Sequence, residues 1–425
     1  LGKIGLPLAV QYASKGCTVR GCDIDAAVVA AVNRGESPVR EEEGLEEGVA
    51  REVATGRLSA TTDTSTAVSQ SEVVVIIVPL MVDHGPDRRL DFRALDSATV
   101  DVGRGLRAGT LVVYETTLPV GTTRGRLGPA LAAASGLTPG RDFWLAFSPE
   151  RVYSGRIFLD LRRYPKIVGG IDAASTERAV AFYRRVLDAE VIPVDNAETA
   201  EFAKLVETTY RDVNIALANE FALYAAERGI DVQQAIDAAN TQPFSHVHRP
   251  GLGVGGHCIP VYPHFLIHDA PQGMQLPRIA RRINDEMAAY GAGLLADALG
   301  TLAGKTVLVL GLAYREDVKE TAFSPAWSLV SALRKAGARA LVHDPLYSRE
   351  ELLRFDLEPA DLAALPPLDA VVLHSYHRAY RDLDWAALPG QVVLDGRNVL
   401  DPQRIRAAGK RYLSIGRPRD SRHAG

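Results

Sequence analysis

The sequence predicts an α/β protein: two domains with parallel, doubly wound sheets, joined by a long central helix and a helical middle domain. Three observations point there. Short apolar runs such as "VVVIIVP" and "TLVVYETT" alternate with helical patterns over the first part of the chain, as strands joined by crossover helices do. The stretch from Glu198 to Arg228 contains neither Gly nor Pro. Strand–helix alternation then restarts at "AGKTVLVLGLAYRED". The reading divides the chain into an α/β domain over 1–196, a helical domain over 197–299 and a second α/β domain over 300–425.

Taken in order, "GKIGLPLAVQYASKG" is a glycine turn feeding an amphipathic helix. "CTVRGCDID" is a short strand ending in acid, and Val73 to Pro79, Thr110 to Thr117 and Phe143 to Glu150 are further strands. Glu198 to Arg228 is one helix, ended by Gly229 and long enough to offer a dimer surface. Helical sequence follows to about Gln242, and another helix spans Pro277 to Leu299. "ARALVHDP", "DAVVLHS" and "QVVLDGR" are strands of the last domain, and "RPRDSRHAG" is a frayed polar tail.

Composition excludes several classes. With 47% hydrophobic and 24% charged residues, the chain has the balance of a soluble globular protein. A net charge of −4 gives no general attraction to nucleic acid or an anionic membrane. No apolar run approaches the ~20 residues of a spanning helix. Three cysteines, at 17, 22 and 258, are too few for a disulfide framework, which favours a reducing cytoplasm. Cys17 and Cys22, without a nearby His, read as core residues. No metal is expected, because Cys258 has no second cysteine near it.

"LGKIGLP" carries the last two glycines of a G-x-G-x-x-G turn, Gly2 and Gly5. The first would precede Leu1, as would the first strand. Gly2 would let a pyrophosphate approach the backbone, and Gly5 would let the helix pack on its strand. Asp23, 21 residues after Gly2, suits a carboxylate that bonds a ribose hydroxyl and repels a 2′-phosphate. NAD is therefore expected, against a plain glycine helix start. In the last domain, Arg315, Asp317, Lys319 and Glu320 follow Gly311 at a strand's carboxyl end. That loop is either solvated or a ligand site.

"RPGLGVGGHCIPVYPHF", Arg249 to Phe265, raises the sharpest question. Glycines at 251, 253, 255 and 256 can bring backbone N–H groups to a ligand, and Arg249 can pair a diphosphate. Cys258 then sits in a polar, partly positive loop, the setting of a nucleophilic thiol. His257 either assists or packs the loop. A thiolate adds to an aldehyde to give a thiohemiacetal, whose oxidation gives a thioester that water cleaves. Cysteine with NAD therefore suits oxidation of an alcohol to an acid.

"GKIGLPLA" with Asp23, "ETTLPVGTT", "FSPERVYSG", "KIVGG", "AEFAKLVETTYRDVNIALANE", "GVGGHCIP" and "GLAYREDVKETAFSPA" together resemble the UDP-glucose/GDP-mannose dehydrogenase family over essentially the whole chain. "GGHC" and "YRDVN" look most like the branch acting on UDP-N-acetylhexosamines. The resemblance implies two Rossmann-like domains around the long helix, a homodimer, and oxidation of a sugar C6 alcohol to a carboxylate with two NAD+. It implies that Cys258 is the nucleophile, that Lys204 stabilises oxyanions or shares proton transfer, and that Glu150 acts on the hydrolytic water. Thr117 would hold water near the nicotinamide, with Pro79 beside the cofactor. Arg249 and Arg315 would lie near the nucleotide diphosphate, with Gly255, Gly256 and Tyr262 lining the substrate.

Three positions depart from the family pattern. Tyr262 stands where the family has aspartate, Thr208 where it has asparagine, and Ala322 where it has arginine. Tyr262 and Thr208 would share one catalytic site and suggest coordinated change. Ala322 keeps a dTDP-hexose beside UDP-glucose or a UDP-N-acetylhexosamine as substrate. Two rivals stand: a single-step β-hydroxyacid-type dehydrogenase, and a nucleotide-sugar binding protein without turnover.

Overall fold

The computed structural model describes residues 1–40, 42–83, 85, 88–153, 155–270 and 272–418. The chain divides into two compact units, Leu1–Glu207 and Thr208–Gly425. The tail beyond residue 418 lies outside the described residues.

In the first unit, the helix Gly5–Ser14 buries Leu6, Leu8, Val10 and Tyr12. Leu8 and Tyr12 join Leu111, Val113, Val168 and Tyr183 in one core, while Leu6 and Val10 join Val32, Val49 and Leu58 in another. Strand β1 (Val19–Cys22) pairs in parallel with β2 (Leu58–Thr61). β3 (Val73–Ile76) belongs to a five-stranded sheet, and β4 (Met81–Val82) and β5 (Leu90–Asp91) form a small antiparallel ribbon. The sheet runs β3, β6 (Leu111–Tyr114), β7 (Trp144–Phe147), β8 (Lys166–Gly170), β9 (Val191–Pro193).

That sheet corrects the expectation of parallel sheets throughout, because β7 and β8 pair antiparallel. The connection between them carries only the seven-residue helix Ile157–Arg163. A parallel return needs a crossover back along the strand. Here the chain turns back beside β7 instead.

The long helix covers Ala197–Arg228. Gly229, at φ +68, supplies the left-handed residue that ends it. In the second unit, Val232–Ala239 is helical, stopping short of Gln242, and Gln275–Leu299 begins slightly before Pro277. The sheet here is wholly parallel. It contains β10 (Thr306–Leu310), β11 (Arg339–His343), β12 (Glu358–Pro359), β13 (Ala370–Leu373), β14 (Val392–Asp395) and β15 (Arg411–Ser414). Their order is β12-β11-β10-β13-β14-β15. Numbered within the unit this is 3-2-1-4-5-6, with its switch point between β10 and β13, where such sheets bind ligands beyond the strand ends.

Candidate active site

In the first unit, Gly2, Lys3, Asp23, Pro38, Val39 and Arg40 line a cavity of about 370 Å³. A Cβ built on Gly2 meets nothing within 4 Å. Gly2 therefore faces open space. At Gly5 the same test finds only Ile77 Cδ1 at 3.8 Å, an ordinary contact. The tight helix–strand packing expected of Gly5 is thus not what demands glycine there. Ile4, at the helix N-cap, makes no side-chain capping bond, the Leu6 N–H donates to Gly2 C=O at 3.1 Å and Pro7 has no N–H, so of the first turn Gly5 supplies the N–H left for an anion. Asp23 Oδ1 accepts the Asp25 N–H at 3.0 Å. Glycine, open helix start and strand-end carboxylate fit a dinucleotide.

Further along the same unit, Pro79 follows β3 and is exposed, whereas Thr117 follows β6 and is buried. Glu150 follows β7. Its Oε1 accepts the N–H groups of Arg151 (2.6 Å) and Val152 (3.0 Å), and its Oε2 accepts from Lys166 Nζ at 3.0 Å. Burial pushes the Glu150 carboxyl up, against these donors and the charge of the nearby buried Lys204.

In the second unit, the glycine loop is packed rather than open. A Cβ on Gly255 would lie 2.4 Å from Tyr314 Cβ, and one on Gly256 3.1 Å from the Tyr314 ring. The Gly256 N–H already donates to Ala322 C=O at 2.8 Å. This corrects the assignment of Gly256 as a phosphate donor: Gly255 is glycine because Tyr314 and Pro325 press on it, and Gly256 because its φ is +101 and the Tyr314 ring lies against it. The loop's start is tied down as well: Gly251 N–H donates to Asn219 Oδ1, and Asn219 Nδ2 to Asn284 Oδ1. Asn284 Nδ2 in turn donates to Asp212, which Arg281 pairs at 2.6 Å.

Cys258 ends this loop as a partly buried free thiol. Its C=O accepts the N–H groups of Val261 (3.2 Å) and Tyr262 (2.9 Å), so Tyr262 lies one turn beyond the sulfur. The Tyr262 ring packs on Phe265, with centroids 5.3 Å apart. His257 Nε2 lies 3.2 Å from Glu320, so it ties the loop to its neighbour. The Arg249 guanidinium is largely exposed and 3.4 Å from Asp237.

The loop after β10 is held by one buried acid. Asp344 Oδ2 accepts from the N–H groups of Leu312 (2.7 Å) and Ala313 (2.9 Å) and from His377 Nε2 at 3.1 Å. Because the Asp317 N–H donates to His377 Nδ1 at 2.9 Å, the ring proton sits on Nε2. Burial pushes His374 down to about 4. Arg315 is half-buried in this loop, while Asp317 bonds Arg378 and Lys319 bonds Glu351.

Family models match in three consecutive stretches: the NAD binding domain over residues 1–187, the central domain over 198–286 and the UDP binding domain over 308–402. The chain belongs to the UDP-glucose/GDP-mannose dehydrogenase family. As a UDP-glucose/GDP-mannose dehydrogenase family member it is an NAD-dependent oxidoreductase, and NAD is its cofactor. It is 37% identical to the UDP-N-acetyl-D-mannosamine dehydrogenase of Pyrococcus horikoshii, over 98% of each chain. Its fold matches the NDP-N-acetyl-D-galactosaminuronic acid dehydrogenase of Methanosarcina mazei with a TM-score of 0.87 at 34% identity, covering 100% of this chain and 95% of that one. It likewise matches a UDP-glucose dehydrogenase of Pyrobaculum islandicum, with a TM-score of 0.87 at 29% identity over 98% and 96% of the two chains. Among the described residues no helix is long and apolar enough to cross a membrane.

Within this family member, sequence reasoning missed three buried groups. Glu115 follows β6 and accepts from the Tyr12 (3.2 Å) and Tyr183 (3.1 Å) hydroxyls and from Lys166. Lys166 itself was hidden inside "KIVGG", a run read only as a motif. Glu201, on the long helix, accepts from the N–H groups of Gly121 (2.5 Å) and Thr123 (2.8 Å) and from the Thr123 hydroxyl (2.6 Å). It thereby holds the "LPVGTT" loop, and burial pushes it up to about 7. Charged residues inside apolar helical or strand patterns were the available signal. Thr208 is buried one turn after Lys204 on the long helix, and Ala322 serves the glycine loop through its backbone.

Proposed function

We propose that this protein oxidises the C6 hydroxymethyl of a UDP- or dTDP-linked hexose, glucose or an N-acetylhexosamine, to a uronate. The observation that carries the reading is the free Cys258 thiol at the end of a rigidly packed loop, in the unit whose sheet edge presents Arg315. The names of the P. horikoshii and M. mazei proteins support an N-acetylhexosamine; Ala322 keeps the base open.

Gly2, Asp23 and the start of the first helix would hold NAD, with Pro79 and Thr117 at the ends of the next strands. NAD, when bound, supplies the two-electron acceptor for each oxidation, two NAD+ for each sugar. Cys258 adds to the C6 aldehyde, and oxidation of that thiohemiacetal leaves a thioester on the sulfur. Lys204 stabilises the oxyanions, and Glu150 takes a proton from the water that cleaves the thioester. Arg249 and Arg315 supply cations for the diphosphate. Tyr262 and Thr208 shape the sugar site where the family places an acid and an amide. NADH counted per sugar, over UDP- and dTDP-linked glucose, N-acetylglucosamine and N-acetylmannosamine, tests this. Two NADH and an acid support it. One NADH favours a β-hydroxyacid-type enzyme, and none despite binding favours a binding protein.

The enzyme would work in the cytoplasm as a homodimer. Phe202, Val206, Tyr210, Leu217, Phe221 and Tyr224 are exposed along the long helix, an apolar stripe of the kind that partners cover. Tyr210→Arg with Phe221→Arg should yield monomers in sedimentation; monomeric wild-type protein would refute the dimer.

A further inference from the structure

Lys166 Nζ sits between two carboxylates, and the reversed strand puts it there. Ala146 pairs with Gly170 and Phe147 with Gly169 in the antiparallel ladder. Extending that register by three residues sets Glu150 opposite Lys166, and the Ser148 hydroxyl already bonds Ile167 C=O across the same pair at 2.8 Å. A parallel β8 would have started at the other edge of the sheet. Lys166 and Glu115 are both fully enclosed, and Lys166 bridges Glu115 Oε1 and Glu150 Oε2.

Counting acceptor positions shows what the bridge does. An ionised carboxylate has about four lone-pair sites. On Glu150, two are taken on Oε1 by backbone N–H groups and one on Oε2 by Lys166. One site, on Oε2, is left. Glu115 also has three sites filled, by Lys166 and two tyrosine hydroxyls, but it is sealed from solvent, so it anchors Lys166 rather than competing for water. We propose that Lys166 is a positioning residue for Glu150, leaving that carboxylate a single open acceptor position for the water that cleaves the Cys258 thioester. The inference rests on the thioester reading above. In the step itself, a water oxygen bonds the acyl carbon, the carbon–sulfur bond breaks, and one water proton passes to Glu150. The sulfur leaves as thiolate and is reprotonated.

The test is Lys166→Met in the full-length enzyme, followed by rapid mixing with NAD+ and the sugar that wild type turns over. The expected result is a normal burst of two NADH per Cys258, steady turnover ~10- to 100-fold slower, an unchanged sugar KM in the burst phase, and a Cys258 acyl adduct in the intact-protein mass. A structural role alone would depress burst and turnover together, without adduct, and would overturn the proposal. Because a lone buried Glu115 charge threatens folding, Lys166→Met with Glu115→Gln is made in parallel and read the same way. Wild-type turnover in either folded variant also overturns it. A wild-type enzyme that never yields a second NADH defeats the thioester reading itself, a result distinct from any variant's behaviour.

Discussion

At the strand ends of the first unit, Glu115, Glu150 and Lys166 form an enclosed ionic cluster. At those of the second, Asp344 is joined by one histidine, His377, through Nε2, and by two backbone N–H groups. The glycines differ in the same way. Gly2 faces a cavity, whereas Gly255 is pinned under Tyr314. The first unit leaves a glycine beside open space and encloses its charges; the second packs its loop glycines and ties its loops down with hydrogen bonds. A glycine or a charged residue in a motif therefore does not say which use it serves until its neighbours are known.

The comparison is broken most forcefully at the thiol. Cys258→Ala should lower acid formation by at least ~10³-fold while nucleotide-sugar binding, measured by calorimetry, stays intact. Acid production by the purified variant would remove the nucleophile from the second unit. Next comes Glu201 in the first unit. Its carboxyl is raised from its usual value to about 7 by burial. Between roughly pH 4.5 and 7 the folded protein therefore holds a proton that the unfolded chain lacks. Its contribution should favour folding below that window and fall by up to about 3 kcal/mol as pH rises through it. Denaturant titrations across this range should show that slope in wild type and lose it in Glu201→Gln; an equal slope in both refutes the assignment. The smallest effects separate the glycines. Gly255→Ala should cost about 1–3 kcal/mol from its clash with Tyr314, whereas Gly2→Ala should leave stability within about 0.5 kcal/mol and instead raise the KM for NAD. Equal melting losses in the two variants would erase the distinction.

Much of the architecture was legible because strong patterns forced it. The Gly- and Pro-free run from Glu198 and the apolar runs around Val73, Leu111, Thr306 and Ala370 became the helix and strands expected, the helix starting one residue earlier and β3 ending at Ile76, short of Pro79. Lys166–Gly170 was unreadable as a reversed strand because direction is set by the connection, not by the five residues themselves. Among the candidate residues, Asp23 and Glu150 stand out in the sequence as strand-end acids and Cys258 as a thiol closing a glycine loop. Glu115, Lys166 and Glu201 do not, since each sits in a stretch whose apolar neighbours dominate the pattern. The glycine loop misled in one respect: Gly256 looked like a donor to phosphate, but its N–H was already committed to Ala322.

Tyr314 touches both Gly255 and Gly256, and its chain neighbour is Arg315. The sulfur-bearing loop and the loop proposed for the diphosphate are thus packed together through one side chain inside a single unit. A nucleotide seated at one loop would measure off a fixed length of sugar to the other, so hexoses that place C6 nearer or farther would be sorted by reach before any bond is made.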